Sequence, residues 1–116
     1  MISEAYKEAQ EQFNQGLIKI ENGRVLRTGT KKRSYKEPRI IDNHISLLGY
    51  RTFSIRYNKT KTCSIVSHKF IWLAHNNFSM PNGYVVDHID GNKLNNSPDN
   101  LEAISPSSNA KRKYKM

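Results

Sequence analysis

Alternating apolar and polar positions predict two β-hairpins in the first half of the chain. In residues 16–28 the alternation runs on both sides of residues 21–23, Glu-Asn-Gly, a combination typical of a tight turn. In residues 49–66 the alternation is more regular, with Phe53 and Ile55 on one face and polar side chains on the other. We expect the apolar faces of both hairpins to pack against the core.

Two further segments carry helix signals. Residues 3–15 have Ser3 in the N-cap position and Gly16 directly after them, which predicts a short helix. Ser67 is in the N-cap position of a second predicted helix over residues 67–78. The buried stripe expected for that helix comprises Phe70, Ile71, Leu73, Ala74 and Phe78.

The rest of the chain predicts a strand, a long turn, a second strand and a helix. Residues 84–89 and 100–105 are the strands, with turn-forming Asp, Asn and Gly between them. Ser105 followed by Pro106 predicts a helix that runs to the C-terminus. Residues 29–39 lack periodicity and predict a basic loop. The expected fold class is therefore α+β, built from small antiparallel β-hairpins.

Length and composition indicate one compact domain of 116 residues. We divide it into a basic, β-rich region with a short N-terminal helix over residues 1–66, and a second region over residues 67–116. The apolar runs are too short to span a bilayer, and no secretory signal precedes them. Cys63 is the single cysteine, so no intrachain disulfide forms. We expect a cytoplasmic protein that does not associate with membranes.

The net charge of +9 is unevenly distributed. Residues 24–63 carry net +9 and residues 111–116 carry +4, whereas residues 64–110 carry −2. Basic surface favours a polyphosphate partner, because each neutralised phosphate releases condensed counterions. The acidic stretch could supply carboxylates to a divalent cation. The alternative is a solvated basic face with no partner.

Candidate chemistry is concentrated near Asp87 and His88, which are adjacent at the end of a predicted strand. Their side chains therefore point to opposite faces. If the hairpin packs against the last helix, Asp87 can meet Asn109 in its first turn, and the two offer oxygens to a hard divalent cation. His88 could then take a proton from an attacking water.

This stretch resembles the HNH homing endonucleases of phages and introns. The residues that carry the resemblance are Asp87-His88-Ile89-Asp90-Gly91-Asn92, Asn95-Asn96, Asp99-Asn100-Leu101 and Asn109. Similar features upstream extend the resemblance to about residues 22–113. Asn109 stands where many members have histidine, a common variant in the family.

The resemblance implies a C-terminal ββα-metal (HNH) motif and an endonuclease that hydrolyses DNA, leaving 5′-phosphate and 3′-hydroxyl ends. It implies that His88 is the general base and that Asn100 braces the hairpin loop. It also implies that Asp87 and Asn109 bind the metal ion, for which Mg²⁺ is expected and Mn²⁺ is the alternative. The cations expected to contact DNA phosphates are Arg51, Arg56, Lys59, Lys61, Lys111, Arg112 and Lys113.

Other interpretations of the same residues fit less well. A calcium loop of the EF-hand type fails on spacing, because Ile89 or Leu94 falls where an oxygen ligand is required. A zinc site using His68 and His75 lacks further ligands, so we expect these residues and Trp72 to have packing or hydrogen-bonding roles. For Asp90, Asn92, Asn95 and Asn96, we expect side chains that bond their own turn.

Two other functions remain open from the sequence. One is a DNA-binding regulator with a vestigial nuclease site, which would bind DNA without cutting it. The other is a nuclease-fold toxin or an RNA-directed nuclease. The sequence decides neither the recognition site nor the oligomeric state.

Overall fold

The computed structural model describes residues 3–107. Its elements in chain order are α1 (Glu4–Asn14), β1 (Ile18–Glu21), β2 (Arg24–Thr30), β3 (Arg33–Ile40), β4 (His44–Ile45), β5 (Arg51–Tyr57), β6 (Lys61–Val66), α2 (Ser67–Ala74), β7 (Val85–His88), a 3₁₀ turn (Pro98–Asn100) and β8 (Leu101–Ile104). All the strand pairs are antiparallel, in the sheets β1-β2-β3, β4-β5-β6 and β7-β8. The expected mixed fold with antiparallel strands is confirmed over this part of the chain.

The first helix and the first hairpin form as predicted. Ser3 caps α1, its hydroxyl accepting a hydrogen bond from the Tyr6 amide at 3.3 Å. Gly16 follows the helix with a φ of +80°, a left-handed conformation that suits glycine. The β1–β2 turn places Asn22 and Gly23 at φ values of 53° and 72°, and positive φ at both central residues is what a type I′ hairpin turn requires.

The prediction of a basic loop over residues 29–39 is wrong, because residues 33–40 form strand β3 against β2. Almost all of the β3 side chains are exposed, so neither face of the strand needs apolar residues. Without that burial the two-residue hydrophobic period is missing, although the backbone still pairs. Gly29 permits the close approach of the two strands, since a Cβ there would lie 2.7 Å from the Arg33 carbonyl oxygen.

The second hairpin, β5–β6, is also confirmed, with Phe53 and Ile55 buried and Arg56 exposed. Thr52 is buried as well, although it lies on the polar face of the pattern. This hairpin contributes to a core shared by both predicted regions of the chain. The buried core residues are Ala5, Ala9, Ile18, Val25, Phe53, Ile55, Ile65, Phe70, Ile71, Val86 and Leu101.

The second helix differs from its prediction at both ends. The N-cap is Val66 rather than Ser67, because β6 continues into α2 without a loop and the cap position falls on the last strand residue. The Ser67 side chain is buried, and its hydroxyl has no hydrogen-bond partner. The helix stops at Ala74, and Phe78 adopts a φ of 53° in the following turn. In this turn the Phe78 ring packs against the Phe70 ring, with 5.8 Å between the ring centroids.

The third pair, β7–β8, places His88 opposite Leu101 and Asp87 opposite Glu102. Helix α2 packs against β5, β7 and β8, and so brings the second hairpin next to the third sheet. Pro106 and Ser107 are helical, as predicted. The rest of the predicted C-terminal helix lies outside the described residues. Within residues 3–107, neither helix is long and apolar enough to cross a membrane.

Candidate active site

His88 ends strand β7 with its side chain buried, only 5% exposed. Its Nε2 atom lies 2.7 Å from Oδ1 of Asn96, which is itself 2% exposed. A hydrogen bond between two buried side chains gains strength from the low local dielectric and fixes the plane of the imidazole. The His88 ring is therefore held in one orientation by a residue of the following loop.

Two more rings pack against His88. The His68 ring centroid, from the first turn of α2, lies 4.6 Å from that of His88. Tyr50, directly before β5, lies 4.9 Å from His68 and stacks at 6.0 Å on His88. Three elements distant in sequence thus form an aromatic cluster of Tyr50, His68 and His88.

His68 is held in its neutral form by this environment. Burial lowers its pKa from 6.5 to about 4, and the neighbouring His88 adds to this effect. A hydrogen bond with the Val86 backbone and the charge of Asp87 oppose the shift. Nδ1 of His68 is buried without a hydrogen-bond partner. The position of His68 between Tyr50 and His88 agrees with the packing role that we expected for it.

Asn100 holds the loop that follows His88 by hydrogen bonds. The Asn100 side chain donates to Oδ1 of Asp90 and to the Asn95 carbonyl, both at 2.9 Å, and accepts from the Asp90 amide at 3.1 Å. Its backbone carbonyl also accepts from the Ile89 amide at 2.8 Å. These contacts join the two ends of the β7–β8 connection. The catalytic role that the resemblance implies for Asn100 stays a prediction.

Asp90, Asn92 and Asn95 bond within their own turn, as expected. Hydrogen bonds from the Asn95 side chain, the Asn92 amide and the Asn100 side chain hold the pKa of Asp90 below its usual range. Asn92 in turn accepts from the Leu94 amide at 3.0 Å. Asn96 does not follow this pattern, because its side chain points inward to His88. The prediction of a turn role for Asn96 is wrong.

The turn between β1 and β2 supports the same loop from outside. A Cβ on Gly23 would lie 3.0 Å from the Asn96 carbonyl carbon and from the Ser97 amide nitrogen. The two backbones therefore touch at a position where only glycine fits without displacement. The N-terminal hairpin thus packs directly against the segment that positions His88.

Asp87 is half-buried in β7, next to His88 in sequence and close enough to influence the charge of His68. Asn109, its expected partner in metal binding, lies outside the described residues, as do Lys111, Arg112 and Lys113. Within residues 3–107, no group of three or more His, Cys, Asp and Glu side chains is arranged to hold a metal ion.

The cations predicted to contact phosphates have different surroundings. Lys59 and Lys61 are exposed at the β5–β6 turn. Arg56 is exposed, and its Nε donates to the Lys59 carbonyl at 3.1 Å, which stiffens that turn. Arg51 is half-buried, with Nη1 3.5 Å from the Asp42 carbonyl oxygen. The hairpin tip is therefore the more accessible cationic surface.

Sequence reasoning missed the contacts that Asn96, His68 and Tyr50 make with His88. Nothing in periodicity or spacing distinguished Asn96 from the three polar turn residues near it. Tyr50 fell within a predicted strand, and His68 was placed on a helix face. Only the packing of α2 against β7 shows that these side chains meet.

Comparisons with known proteins found a family match, similar sequences and a similar solved structure. Residues 67–111 match the HNH endonuclease family. The chain is 32% identical over 84 residues to a Bacillus subtilis (strain 168) protein named "SPbeta prophage-derived putative HNH homing endonuclease YosQ", a match that covers 72% of this chain and 47% of that protein. It is 46% identical over 43 residues to protein 3.8 of Escherichia phage T7, covering 37% of this chain and 35% of that one.

A solved structure of the HNH homing endonuclease I-HmuI, described as showing DNA binding and cleavage, is similar with a TM-score of 0.61 and 27% sequence identity. The match covers 84% of this chain and 52% of that one. The chain thus spans about half the length of the two homing endonucleases it matches. The family match over residues 67–111, the aligned relative and the shared fold together show that this chain resembles the HNH endonucleases, with similarity to the HNH homing endonucleases over most of its length.

Proposed function

We propose that the chain is a metal-dependent endonuclease that hydrolyses DNA phosphodiester bonds, with His88 as its general base. The observation that carries the proposal is the 2.7 Å contact between Nε2 of His88 and Oδ1 of Asn96. Because an amide oxygen can only accept, Nε2 donates in this arrangement, and in the neutral imidazole the lone pair is then on Nδ1. A neutral imidazole with one fixed acceptor is what proton abstraction from water requires.

The proposed step is a single displacement at phosphorus. The oxygen of an attacking water forms a bond to phosphorus while Nδ1 of His88 takes one of its protons. The bond from phosphorus to the 3′ oxygen breaks, and solvent water returns a proton to the leaving oxygen. Asn96, Tyr50 and His68 hold the base during this step, and Asn100 holds the loop that carries Asn96.

The residues that would hold the metal are Asp87 and Asn109. A carboxylate and an amide supply oxygen donors only, and this donor set suits a hard cation such as Mg²⁺ or Mn²⁺. Asp87 is half-buried in β7 and directly precedes the proposed base in the sequence. When bound, the cation stabilises negative charge on the phosphate and on the leaving oxygen.

The proposed DNA-binding surface is the basic region of residues 24–63, together with Lys111, Arg112 and Lys113. Exposed Lys59 and Lys61 at the β5–β6 turn support this assignment. Strand β3 adds exposed Arg33, Lys36 and Arg39 to the same region. The phage and prophage sources of two similar proteins favour an origin in a phage or another mobile element.

Nicking of supercoiled plasmid DNA tests the proposal. We expect the full chain to convert supercoiled to open-circular or linear DNA with Mg²⁺, and chelation with EDTA to stop the reaction. The matched control is His88→Ala, because general-base catalysis contributes about 10²–10⁴-fold in rate.

Binding of the plasmid without cleavage by the wild-type chain, at any Mg²⁺ or Mn²⁺ concentration, would support the regulator with a vestigial site instead. Parallel cleavage assays on an RNA duplex and a DNA duplex of the same sequence test the other alternative, a nuclease-fold toxin or an RNA-directed nuclease. Faster cleavage of the RNA would overturn DNA as the substrate.

A further inference from the structure

Exposed apolar side chains occur in the β4–β5 turn and in the loop after His88, two segments that contact each other. Seven large hydrophobic residues are exposed within residues 3–107. Leu47 and Leu48 lie in the β4–β5 turn, and Ile89 and Leu94 lie in the loop after His88. Leu47 is fully exposed and Leu48 is 71% exposed. Contiguous exposed apolar surface often marks an interaction site, whereas single exposed apolar side chains are common.

The turn that carries the two leucines is well ordered by hydrogen bonds. The Ser46 amide donates to the Tyr50 carbonyl at 2.8 Å, and the Gly49 amide donates to the Ser46 carbonyl at 2.9 Å. The Ser46 hydroxyl accepts from the Tyr50 amide at 3.3 Å. Gly49 supplies the left-handed residue, with a φ of +90°. The leucines are therefore presented outward by a fixed scaffold.

Lys93 connects this turn to His88. Its ammonium donates to the Leu48 carbonyl at 2.8 Å and lies 5.0 Å from the Tyr50 ring centroid. Tyr50 in turn stacks on His88 with a ring separation of 6.0 Å. The leucine pair is thus anchored to the same cluster that holds the proposed base. The leucine turn and the His88 site are therefore linked through Lys93 and Tyr50.

We propose that Leu47 and Leu48 form a wedge that inserts between stacked base pairs beside the phosphate to be cut, an inference that rests on the proposed function. Apolar side chains such as leucine insert at base steps and kink the duplex when cationic residues hold the backbone nearby. Here the cation is Lys93, fixed directly to the Leu48 carbonyl. The wedge would unstack one step and open the groove for the His88 site.

Another copy of this chain fits the leucine pair less well. A stable interface needs about 800 Å² on each partner. Two leucine side chains cover only part of that area. A symmetric contact through this turn would also bring two copies of Lys93 together, and their like charges would repel each other. A base step is small, apolar on its faces and flanked by phosphates, so it matches both the size and the charge of the site.

Unwinding of relaxed closed-circular plasmid tests the wedge. The plasmid is incubated with the full chain and a type IB topoisomerase in EDTA, so that DNA is bound but not cut. The topoisomers are then resolved on a gel. We expect the wild-type chain to lower the linking number, and the Leu47→Ala/Leu48→Ala variant to lose more than about half of that change. Its plasmid affinity should fall by less than about threefold, because the phosphate contacts remain.

Two control variants accompany the pair. Val85→Ala removes an exposed apolar residue from β7, outside both the leucine turn and the proposed DNA-binding region, and should unwind like the wild type. Leu47→Met/Leu48→Met keeps apolar bulk and should restore most of the effect, which excludes a folding defect as its cause. Equal unwinding by the alanine variant and the wild type overturns the wedge. So does a bound wild-type chain that leaves the linking number unchanged.

Sedimentation of the wild type and the alanine variant completes the test. A wild-type dimer that the alanine variant converts to monomer would overturn the proposal and assign the turn to self-association. Failure of the proposed nuclease function would be seen separately, as absence of plasmid nicking with Mg²⁺ by the same preparation.

Discussion

Nε2 of His88 and Oδ1 of Asn96 lie 2.7 Å apart, and both side chains are almost completely buried. The two residues come from a strand and from the loop that follows it. Their contact fixes the direction in which the imidazole offers its other nitrogen. The expected effects of replacing His88 and Asn96 depend on this arrangement.

Replacement of the proposed base should separate cleavage from binding. We expect His88→Ala to lower the nicking rate by about 10²–10⁴-fold, because the attacking water loses its proton acceptor. Plasmid affinity, measured by gel retardation in EDTA, should stay within about twofold, since phosphate contacts dominate it. Equal losses of cleavage and affinity would contradict a base role.

Asn96 should act by positioning His88. We expect Asn96→Ala to lower kcat by about 10–100-fold, with KM for plasmid nearly unchanged, because the imidazole loses its fixed orientation. Asn92→Ala is the matched control, since Asn92 is exposed and bonds only within its turn. A rise in KM without a fall in kcat would instead place Asn96 in substrate binding.

Stability should fall in mild acid because of His68. Its pKa is about 4 in the folded chain, against 6.5 for a histidine in the unfolded chain, so the unfolded chain takes up the proton first as the pH falls. The stabilisation is complete above about pH 7 and decreases as the pH falls further, by roughly 1–2 kcal/mol near pH 5. Urea unfolding at about pH 7 and about pH 5 measures this change in the free energy of unfolding.

The control for this pH effect is His68→Phe, which keeps a ring beside His88 but has no proton to gain. We expect this variant to lose less stability than the wild type between about pH 7 and pH 5. The same acid sensitivity in both proteins would show that other groups are responsible.

The buried Asp42 carboxylate should stabilise the N-terminal sheet β1-β2-β3. It accepts from Nε of Arg24 at 3.0 Å and from the Val25 amide at 3.1 Å. We expect Asp42→Ala to lower the free energy of unfolding by about 3 kcal/mol, because a buried amide and a cation lose their partner.

The matched control for Asp42 is an exposed ion pair in the same sheet. Glu21→Ala removes the partner of Lys19, and both side chains of that pair are open to solvent. We expect a change below about 1 kcal/mol. Comparable effects of the two substitutions, measured by urea unfolding, would refute the importance of burial.

The tip of the β5–β6 hairpin should contribute to DNA affinity through charge. We expect Lys59→Ala/Lys61→Ala to reduce the log–log slope of affinity against salt by about 1 for each lysine that contacts a phosphate. Lys19→Ala is the control, since Lys19 pairs with Glu21 at 2.9 Å. An unchanged slope in the hairpin variant would place the DNA elsewhere.

Much of the local structure was determined by the sequence alone. Ser3 and Gly16 bound α1, the Asn22-Gly23 turn shapes the first hairpin, and the alternation around Phe53 and Ile55 defines β5. These elements depend on capping, on positive φ and on one buried face. Each of these features is visible in the identities of a few neighbouring residues. Asp87 and His88 were recognised because they are adjacent and begin the first segment of the motif, residues 87–92.

Only the tertiary structure decided which side chains meet. Strand β3 exists because β2 supplies its hydrogen bonds, and its exposed residues show no period of their own. Asn96 and His68 reach His88 because a loop folds inward and α2 packs on β7. Leu47 and Leu48 stand exposed because no other element covers their turn within the described chain. The contacts of β3, Asn96 and His68 join separate elements or loops, so their energies leave no periodic pattern in the sequence.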